Sequence, residues 1–174
     1  VLSRANVQLK PNQLHAVLSL LEENSQPVRE AAHELVGCGG VIPSGVQSIQ
    51  ATIQALLSNL SRVPEDRESI HEAMMKIGQT HSQEIEMLVN ELYMIDAKFA
   101  PSEANLDDTS YIARAMIVLN AASVRKEIVP LLPFYALSHL QYLHEKHPSH
   151  FPSHIDSSSS STTTTTTSPS SSSI

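Results

Sequence analysis

The residues with the most chemical potential in this sequence are its histidines, several of which crowd the end of the chain. A zinc site needs ligands that converge on one point, usually imidazoles joined by cysteine thiolates or carboxylates. His144 and His147 could share a helical face, but no cysteine is near them, and Pro148 and Pro152 interrupt the segment. We therefore predict no metal site and interpret these side chains as solvated groups near a helix end, where the helix dipole favours positive charge. The late histidines are His139, His144, His147, His150 and His154.

Two acidic residues and a cysteine are the other candidates for catalysis. Asp107 and Asp108 immediately precede an apolar helical run, where a helix N-cap explains them fully. Cys38 lies among glycines after an apolar segment, so it is expected at a helix C-terminus, the end that does not stabilise a thiolate. The glycines around it lack the spacing of a phosphate-binding loop. The sequence therefore predicts no catalytic residue, no cofactor-binding residue and no enzyme.

The elements that position these residues are helices, because apolar residues recur every three or four positions along most of the chain. Three such patterns follow one another between Pro64 and Ala122, and the first places Ile70, Ala73 and Ile77 on one face. Further patterns are predicted to begin at Pro11, at Gln26, at Pro43 and at Phe134, the last of them ending near Lys146. Residues 1–10 read as the end of a preceding helix, and residues 96–107 as a polar loop.

Two packing details follow from this periodicity. In the helix that follows Pro43, Leu57 is predicted to lie in the buried stripe, and Asn59 on the opposite, exposed side. The methionines are predicted to fill the core between helical layers, because their flexible side chains suit irregular gaps. They are Met74, Met75, Met87, Met94 and Met116.

The helices also recur with a period. The second helix of each pair is predicted to start near residues 26, 65 and 108, which are 39 and 43 residues apart. HEAT and armadillo repeats have periods of ~40–47 residues. The segment QPVREAA at residues 26–32 resembles the second-helix signature of a HEAT repeat, and Arg29 stands where such repeats place an arginine that braces adjacent repeats. We predict an all-α HEAT or armadillo-type solenoid over residues 1–152.

The last residues differ in composition from the rest. From Ser157 to Ser173 every residue is serine or threonine except Pro169. Such a segment has no apolar surface to offset the entropy cost of ordering it. We therefore predict that residues 153–174 form a disordered tail that acts as a spacer, with phosphorylation as the alternative role.

Charge and cysteine content indicate which partners and which compartment suit this chain. The chain carries 11 Lys and Arg against 18 Asp and Glu, for a net charge of -7, which disfavours direct binding of nucleic acid. The single cysteine cannot form an internal disulfide, which is typical of a reducing compartment. No apolar segment is long enough to cross a membrane. We expect a soluble intracellular protein without a small-molecule substrate, and the opening Val1 suggests a fragment.

Three blocks of sequence carry a resemblance to a known family. They are PEDRESIHEAMMKIGQTH at residues 64–81, LDDTSYIARAMIVLNAA at 106–122 and HLQYLHEKHPSHFP at 139–152. In order and spacing they resemble the late HEAT repeats of the Integrator complex subunit 4 family, with the resemblance covering roughly residues 43–152. We assign the chain to the plant branch of that family, the Short-root-interacting SIEL-like proteins.

The resemblance implies a function without chemistry of its own. Members of that family are nuclear scaffolds that hold the RNA endonuclease pair of Integrator, which processes small nuclear RNA and other RNA polymerase II transcripts. No functional residue of the family transfers to a position here, and the partners implied are protein subunits of a multi-subunit complex. The alternative is a HEAT-repeat adaptor that carries a transcription factor between cytoplasm and nucleus. A metal-dependent enzyme built on the late histidines is a third hypothesis.

Overall fold

The computed structural model describes residues 8–94 and 105–156. Within these ranges the chain is helical and contains no strand. The predicted tail from residue 157 onward, residues 1–7 and most of the predicted loop around Pro101 lie outside the described residues. The α-helices are α1 (Pro11–Ser19), α2 (Gln26–Gly37), α3 (Val46–Arg62), α4 (Arg67–Thr80), α5 (Ser82–Leu92), α6 (Thr109–Val124) and α7 (Ala136–Lys146). Short 3-10 helices cover Leu20–Glu22, Pro64–Asp66 and Lys126–Leu131.

Proline and aspartate mark several helix starts as predicted. Pro11 is the first residue of α1, where its missing N–H is not needed. Asp108 is the N-cap of α6, and its side chain accepts a hydrogen bond from the Ser110 backbone N–H at 3.0 Å. Helix α3 begins later than predicted, at Val46, because Gly45 has a φ of 123° that a helical residue does not adopt. Helix α7 also begins two residues later than predicted.

The helices form two layers that repeat along the chain. Helices α2, α4 and α6 begin at residues 26, 67 and 109 and pack side by side, α4 lying between the other two. Helices α1, α3 and α5 form the other layer, with α3 in contact with both of its neighbours. This arrangement confirms the all-α helical-repeat fold. In the part of the chain that is described, no helix is long and apolar enough to span a membrane.

Helix α6 lies at the centre of the core. It contacts α3, α4, α5, α7 and the 3-10 helix that follows it. Its approach to α4 is closest at Gly78, where an added Cβ would lie 2.3 Å from the Ile117 carbonyl oxygen. Only glycine fits this crossing without a shift of the backbone. The buried residues of α6 are Tyr111, Ile112, Ala113, Ala115, Met116, Ile117, Val118, Leu119, Asn120, Ala121 and Ala122.

After α7 the chain turns back across the second-helix layer. We name residues 147–156 the C-terminal strap. Its first turn is closed by the backbone N–H groups of His150 and Phe151, which both donate to the His147 carbonyl oxygen. The side chain of Phe151 is only 4% exposed, and Ile155 packs against the core. Asn120 of α6 fixes the strap, because its Nδ2 donates to the His150 carbonyl oxygen at 2.8 Å.

Three details of the predicted packing are wrong. Leu57 is half-buried, whereas Asn59 is buried with 2% of its surface exposed. Met74 and Met116 fill the core as predicted, but Met87 and Met94 are 73% and 72% exposed. Residues 8–10 are not helical, and Leu9 donates its backbone N–H to the Val41 carbonyl oxygen. Asn59 enters the core because its polar atoms find partners there.

Candidate interaction surface

A buried ion pair joins the first two repeats. Arg29 of α2 contacts Asp66, which directly precedes α4, through Nε to Oδ2 at 2.5 Å and Nη2 to Oδ1 at 3.0 Å. Both residues are buried, and the Arg29 Nη1 also donates to the carbonyl oxygens of Glu23 and Asn24. The hydrogen bond to the carboxylate of Asp66 raises the pKa of Arg29, so the guanidinium stays charged. The predicted bracing role of Arg29 is confirmed by this geometry.

A second polar network lies beside that ion pair. His33 Nε2 lies 2.8 Å from Asn59 Oδ1, and His33 Nδ1 lies 2.9 Å from Ser69 Oγ. Asn59 Nδ2 donates to the Leu21 carbonyl oxygen at 2.9 Å, and Arg62 donates to the same oxygen. Burial lowers the pKa of His33, so the network contains a neutral imidazole. These contacts connect α2, α3 and α4, and they serve packing rather than a ligand.

The structure does not bring the late histidines together into one site. His139 is buried, and its Nδ1 lies 2.7 Å from Tyr111 Oη. His144 donates from Nδ1 to the Phe151 carbonyl oxygen at 2.9 Å, and His154 is exposed. The prediction that all five are solvated is therefore wrong for His139 and His150, which are 4% and 6% exposed. Among the described residues, no group of three or more His, Cys, Asp or Glu side chains is placed to hold a metal ion.

The strap packs against a histidine that no pattern in the sequence singled out. His71 of α4 is 2% exposed, and its ring centroid lies 6.0 Å from that of His147 and 5.8 Å from that of His150. Its Nε2 is buried and has no hydrogen-bond partner. Burial, aided by the two neighbouring imidazoles, lowers the pKa of His71 to about 4. No local pattern reveals this cluster, because its members lie on segments far apart in sequence.

The other candidate residues have structural partners. Asp108 caps α6, and Asp107 accepts a contact from Lys146 Nζ at 3.1 Å. Cys38 is half-buried at the end of α2, where its backbone N–H donates to the carbonyl oxygens of Glu34 and Leu35. None of these side chains lies in a set that combines an acid, a base and a nucleophile.

Two surface grooves follow the two helical layers. A groove of 320 Å³ between α2 and α4 is lined by charged side chains, among them Glu30, Glu34 and Glu72, and Lys76 pairs with Glu72 at 2.7 Å. A groove of 190 Å³ between α3, α5 and α6 is more apolar. Its lining residues are Gln50, Ile53, Gln54, Leu57, Leu88, Glu91, Leu92, Met94 and Arg114. Neither groove contains a convergent set of reactive groups.

Large apolar side chains are exposed mainly in the second half of the described chain. Phe134 is 84% exposed, although its ring contacts Tyr135, which is buried. Contiguous apolar patches mark interaction sites, and a few large side chains at the centre of an interface contribute most of the binding free energy. The others in this half are Met87, Met94, Val124, Leu131 and Leu137.

The chain is similar to one set of curated proteins over most of its length. It is 40% identical over 150 residues to the Integrator complex subunit 4 homolog of Dictyostelium discoideum, which is 86% of this chain and 12% of that protein. It is 36% identical over 140 residues to Integrator complex subunit 4 of Xenopus laevis and 34% identical over 140 residues to that of Homo sapiens. The chain belongs to the Integrator complex subunit 4 family. No protein-family profile matches it.

The match to Integrator complex subunit 4 confirms the resemblance found in the sequence. The matched stretch is 12% of the Dictyostelium protein and 14% of the Xenopus and human proteins, so the chain spans about one eighth of these relatives. The match covers 80% or more of this chain, which is more than residues 43–152 alone. The plant branch stays a prediction.

Within this segment of the Integrator subunit 4 family, the residues that sequence analysis missed are polar and buried. Asp66, Asn59, His71 and Asn120 are each at most 2% exposed. A polar residue within an apolar run is the signal that could have found Asn120, since such a residue must be hydrogen-bonded when it is buried. Asn120 stands in the middle of the apolar run of α6 and shows that signal most clearly.

Proposed function

We propose that this chain is a non-enzymatic scaffold segment of an Integrator complex, and that it binds protein subunits. The observation that carries the proposal is its similarity, over 80% to 86% of its length, to Integrator complex subunit 4 proteins of distant organisms. A segment that resembles one part of a subunit so closely is expected to share its place in the assembly.

The geometry supports a binding role over a catalytic one. The buried ionic and imidazole groups of the first two repeats contact one another, as in Arg29 with Asp66 and His33 with Asn59. Catalysis needs such groups to face a substrate at hydrogen-bond distance, in a site that combines several roles. The net charge of -7 also makes direct capture of RNA unfavourable.

We also propose where the chain acts, which subunits it binds and which process depends on it. We assign the chain to the nucleus, with the endonuclease module of Integrator as the subunits it holds. Maturation of small nuclear RNA 3′ ends and RNA polymerase II transcription would then depend on this segment through assembly alone. The whole of residues 1–152 acts as one helical array in this proposal.

The exposed apolar side chains are the proposed contact points. Phe134 is the strongest candidate, because it is aromatic, lies two residues before α7 and is 84% exposed. Aromatic residues at the centre of an interface often contribute most of the binding free energy. Its loss should not affect folding, since so little of its surface is buried.

The experiment compares a tagged chain with its Phe134→Ser variant in cells of its source organism. The variant should recover about tenfold less of the endonuclease subunits, as expected when an aromatic anchor is removed. Val28→Ser is the matched control, because Val28 is also an exposed apolar residue but lies on α2. Thermal unfolding of the Phe134→Ser variant should match that of the unchanged chain, because Phe134 is 84% exposed.

Other results would contradict the proposal. Recovery of nuclear transport receptors without Integrator subunits would favour the trafficking adaptor. An intact complex whose small nuclear RNA processing is lost on His144→Ala or Asp108→Ala would favour a catalytic role.

A further inference from the structure

The C-terminal strap docks on the core through Phe151 and Ile155, and several of its other contacts involve histidine. Helix α7 itself has little contact with α6. The strap is fixed by Phe151 in the core, by the Asn120 bond to the His150 carbonyl oxygen, and by the imidazoles of His147 and His150 against His71. Its docking therefore depends in part on the charge state of the buried imidazole of His71.

We propose that the strap is a proton-sensitive latch, which releases the surface of α4 and α6 when His71, which packs against His147 and His150, gains charge. The geometry explains why charge is not tolerated. A protonated imidazole carries two N–H donors, and the buried Nε2 of His71 has no acceptor to receive one of them. Protonation of both His71 and His147 would also place two like charges on rings whose centroids lie 6.0 Å apart.

The charged groups around the cluster do not compensate for this repulsion. Helix α4 presents Arg67, Glu68 and Glu72, and Lys146 lies at the end of α7. Glu68 Oε1 lies 3.4 Å from His150 Nε2, but the Glu68 side chain is 84% exposed, so water and salt screen the pair. Arg67 and Lys146 add positive charge, and Asn120 of α6 is neutral.

The lowered pKa values of His71 and His147 determine how pH changes the docking of the strap. Burial lowers the pKa of His71 from its ordinary 6.5 to about 4, and burial lowers that of His147 as well. A released strap exposes His71 to water and restores its ordinary pKa, so release is coupled to proton uptake. Docking is therefore complete above pH 6.5 and weakens as the pH falls towards about 4. Within that window the protonation of His71 lowers the docking constant by about tenfold per pH unit.

Hydrogen exchange of the whole chain tests the latch. The backbone amides of His150 and Phe151 and the side-chain amide of Asn120 report docking, and their protection factors are measured by nuclear magnetic resonance between pH 7 and pH 4. Helix content is followed in the same samples by circular dichroism. We expect protection of these amides to fall steeply with pH while the helix content stays constant.

Substitution of His71 identifies the groups responsible. His71→Phe keeps an aromatic ring in place but cannot be charged. The contribution of His71 to the pH dependence of docking, about tenfold in the docking constant per pH unit, should therefore be absent from this variant. His15→Phe is the control, because His15 is exposed on α1 and should leave the wild-type profile unchanged. If His71→Phe fails to fold, the pH dependence of amide protection in the unchanged chain still tests the latch.

Three results would overturn the latch. The amides of the strap could stay protected down to pH 4, or they could lose protection only together with the helices. A His71→Phe variant that folds and still shows the wild-type pH dependence would also contradict it.

Discussion

The two junctions between second helices solve the same packing problem in different ways. The α2–α4 junction is polar, with Arg29 and Asp66 paired and His33 bonded beside them. The α4–α6 junction is mostly apolar and relies on the close approach of Gly78 to the backbone of Ile117. Ion pairs and hydrogen bonds specify one register in the first, while shape specifies it in the second.

This difference predicts different responses to mutation. A buried ion pair contributes little net stability compared with an apolar pair of the same shape, but the loss of one partner leaves an uncompensated charge. A close helix crossing has no such partner, and it is sensitive to added volume instead. The polar junction should therefore fail when atoms are removed, and the apolar junction when atoms are added.

The largest effect is expected from Asp66→Ala. The change leaves the guanidinium of Arg29 buried without its carboxylate, which typically costs about 3–5 kcal/mol of the free energy of unfolding. Urea denaturation followed by circular dichroism measures this loss. The double variant Arg29→Met with Asp66→Leu should regain most of it, because no charge is then buried. If the double variant were as unstable as Asp66→Ala, the ion pair itself would stabilise the fold, and the loss in Asp66→Ala would not come only from the unpaired charge of Arg29.

The next effect is expected from Gly78→Ala. The added Cβ would lie 2.3 Å from the Ile117 carbonyl oxygen, so α4 and α6 must move apart. Overpacking of this kind costs about 2–3 kcal/mol, even though alanine favours the helix over glycine by about 1 kcal/mol. Differential scanning calorimetry would show the lower melting temperature. A neutral or stabilised variant would mean that this crossing is not the tight contact of the apolar junction.

The smallest effect is expected from Asn59→Ala. It removes the partner of His33 Nε2 and one of the two donors to the Leu21 carbonyl oxygen. A lost buried hydrogen bond of this kind costs about 1–2 kcal/mol. Ser58→Ala is the matched control on the exposed side of α3 and should change stability by less than about 0.5 kcal/mol. Equal urea midpoints for the two variants would contradict the polar network.

The sequence was sufficient to predict the elements and their order. Apolar periodicity, Pro11 and Asp108 marked helices close to where they lie, because these signals act within one or two turns. The repeat period also came from the sequence, since each second helix restarts the same pattern. Local chemistry thus determined the fold class.

The polar contacts between repeats could not be predicted from the same signals. Asn59 stands on the polar side of an apolar stripe by the sequence, yet His33 and Leu21 of the preceding repeat enclose it. His71 meets His147 and His150 only because the strap turns back over α4. Such partners are set by the way one repeat stacks on another, and no spacing within a helix records that.

Burial of α6 on every side has a consequence for synthesis on the ribosome. The chain emerges from its N-terminus, so α3, α4 and α5 are present when α6 appears, but Phe151 follows about 30 residues later. At ~5–20 residues per second, α6 waits on the order of seconds before the strap covers it. During that interval the face of α6 around Asn120 that the strap later covers is exposed to water, and transiently exposed apolar surface of this kind is what chaperones protect.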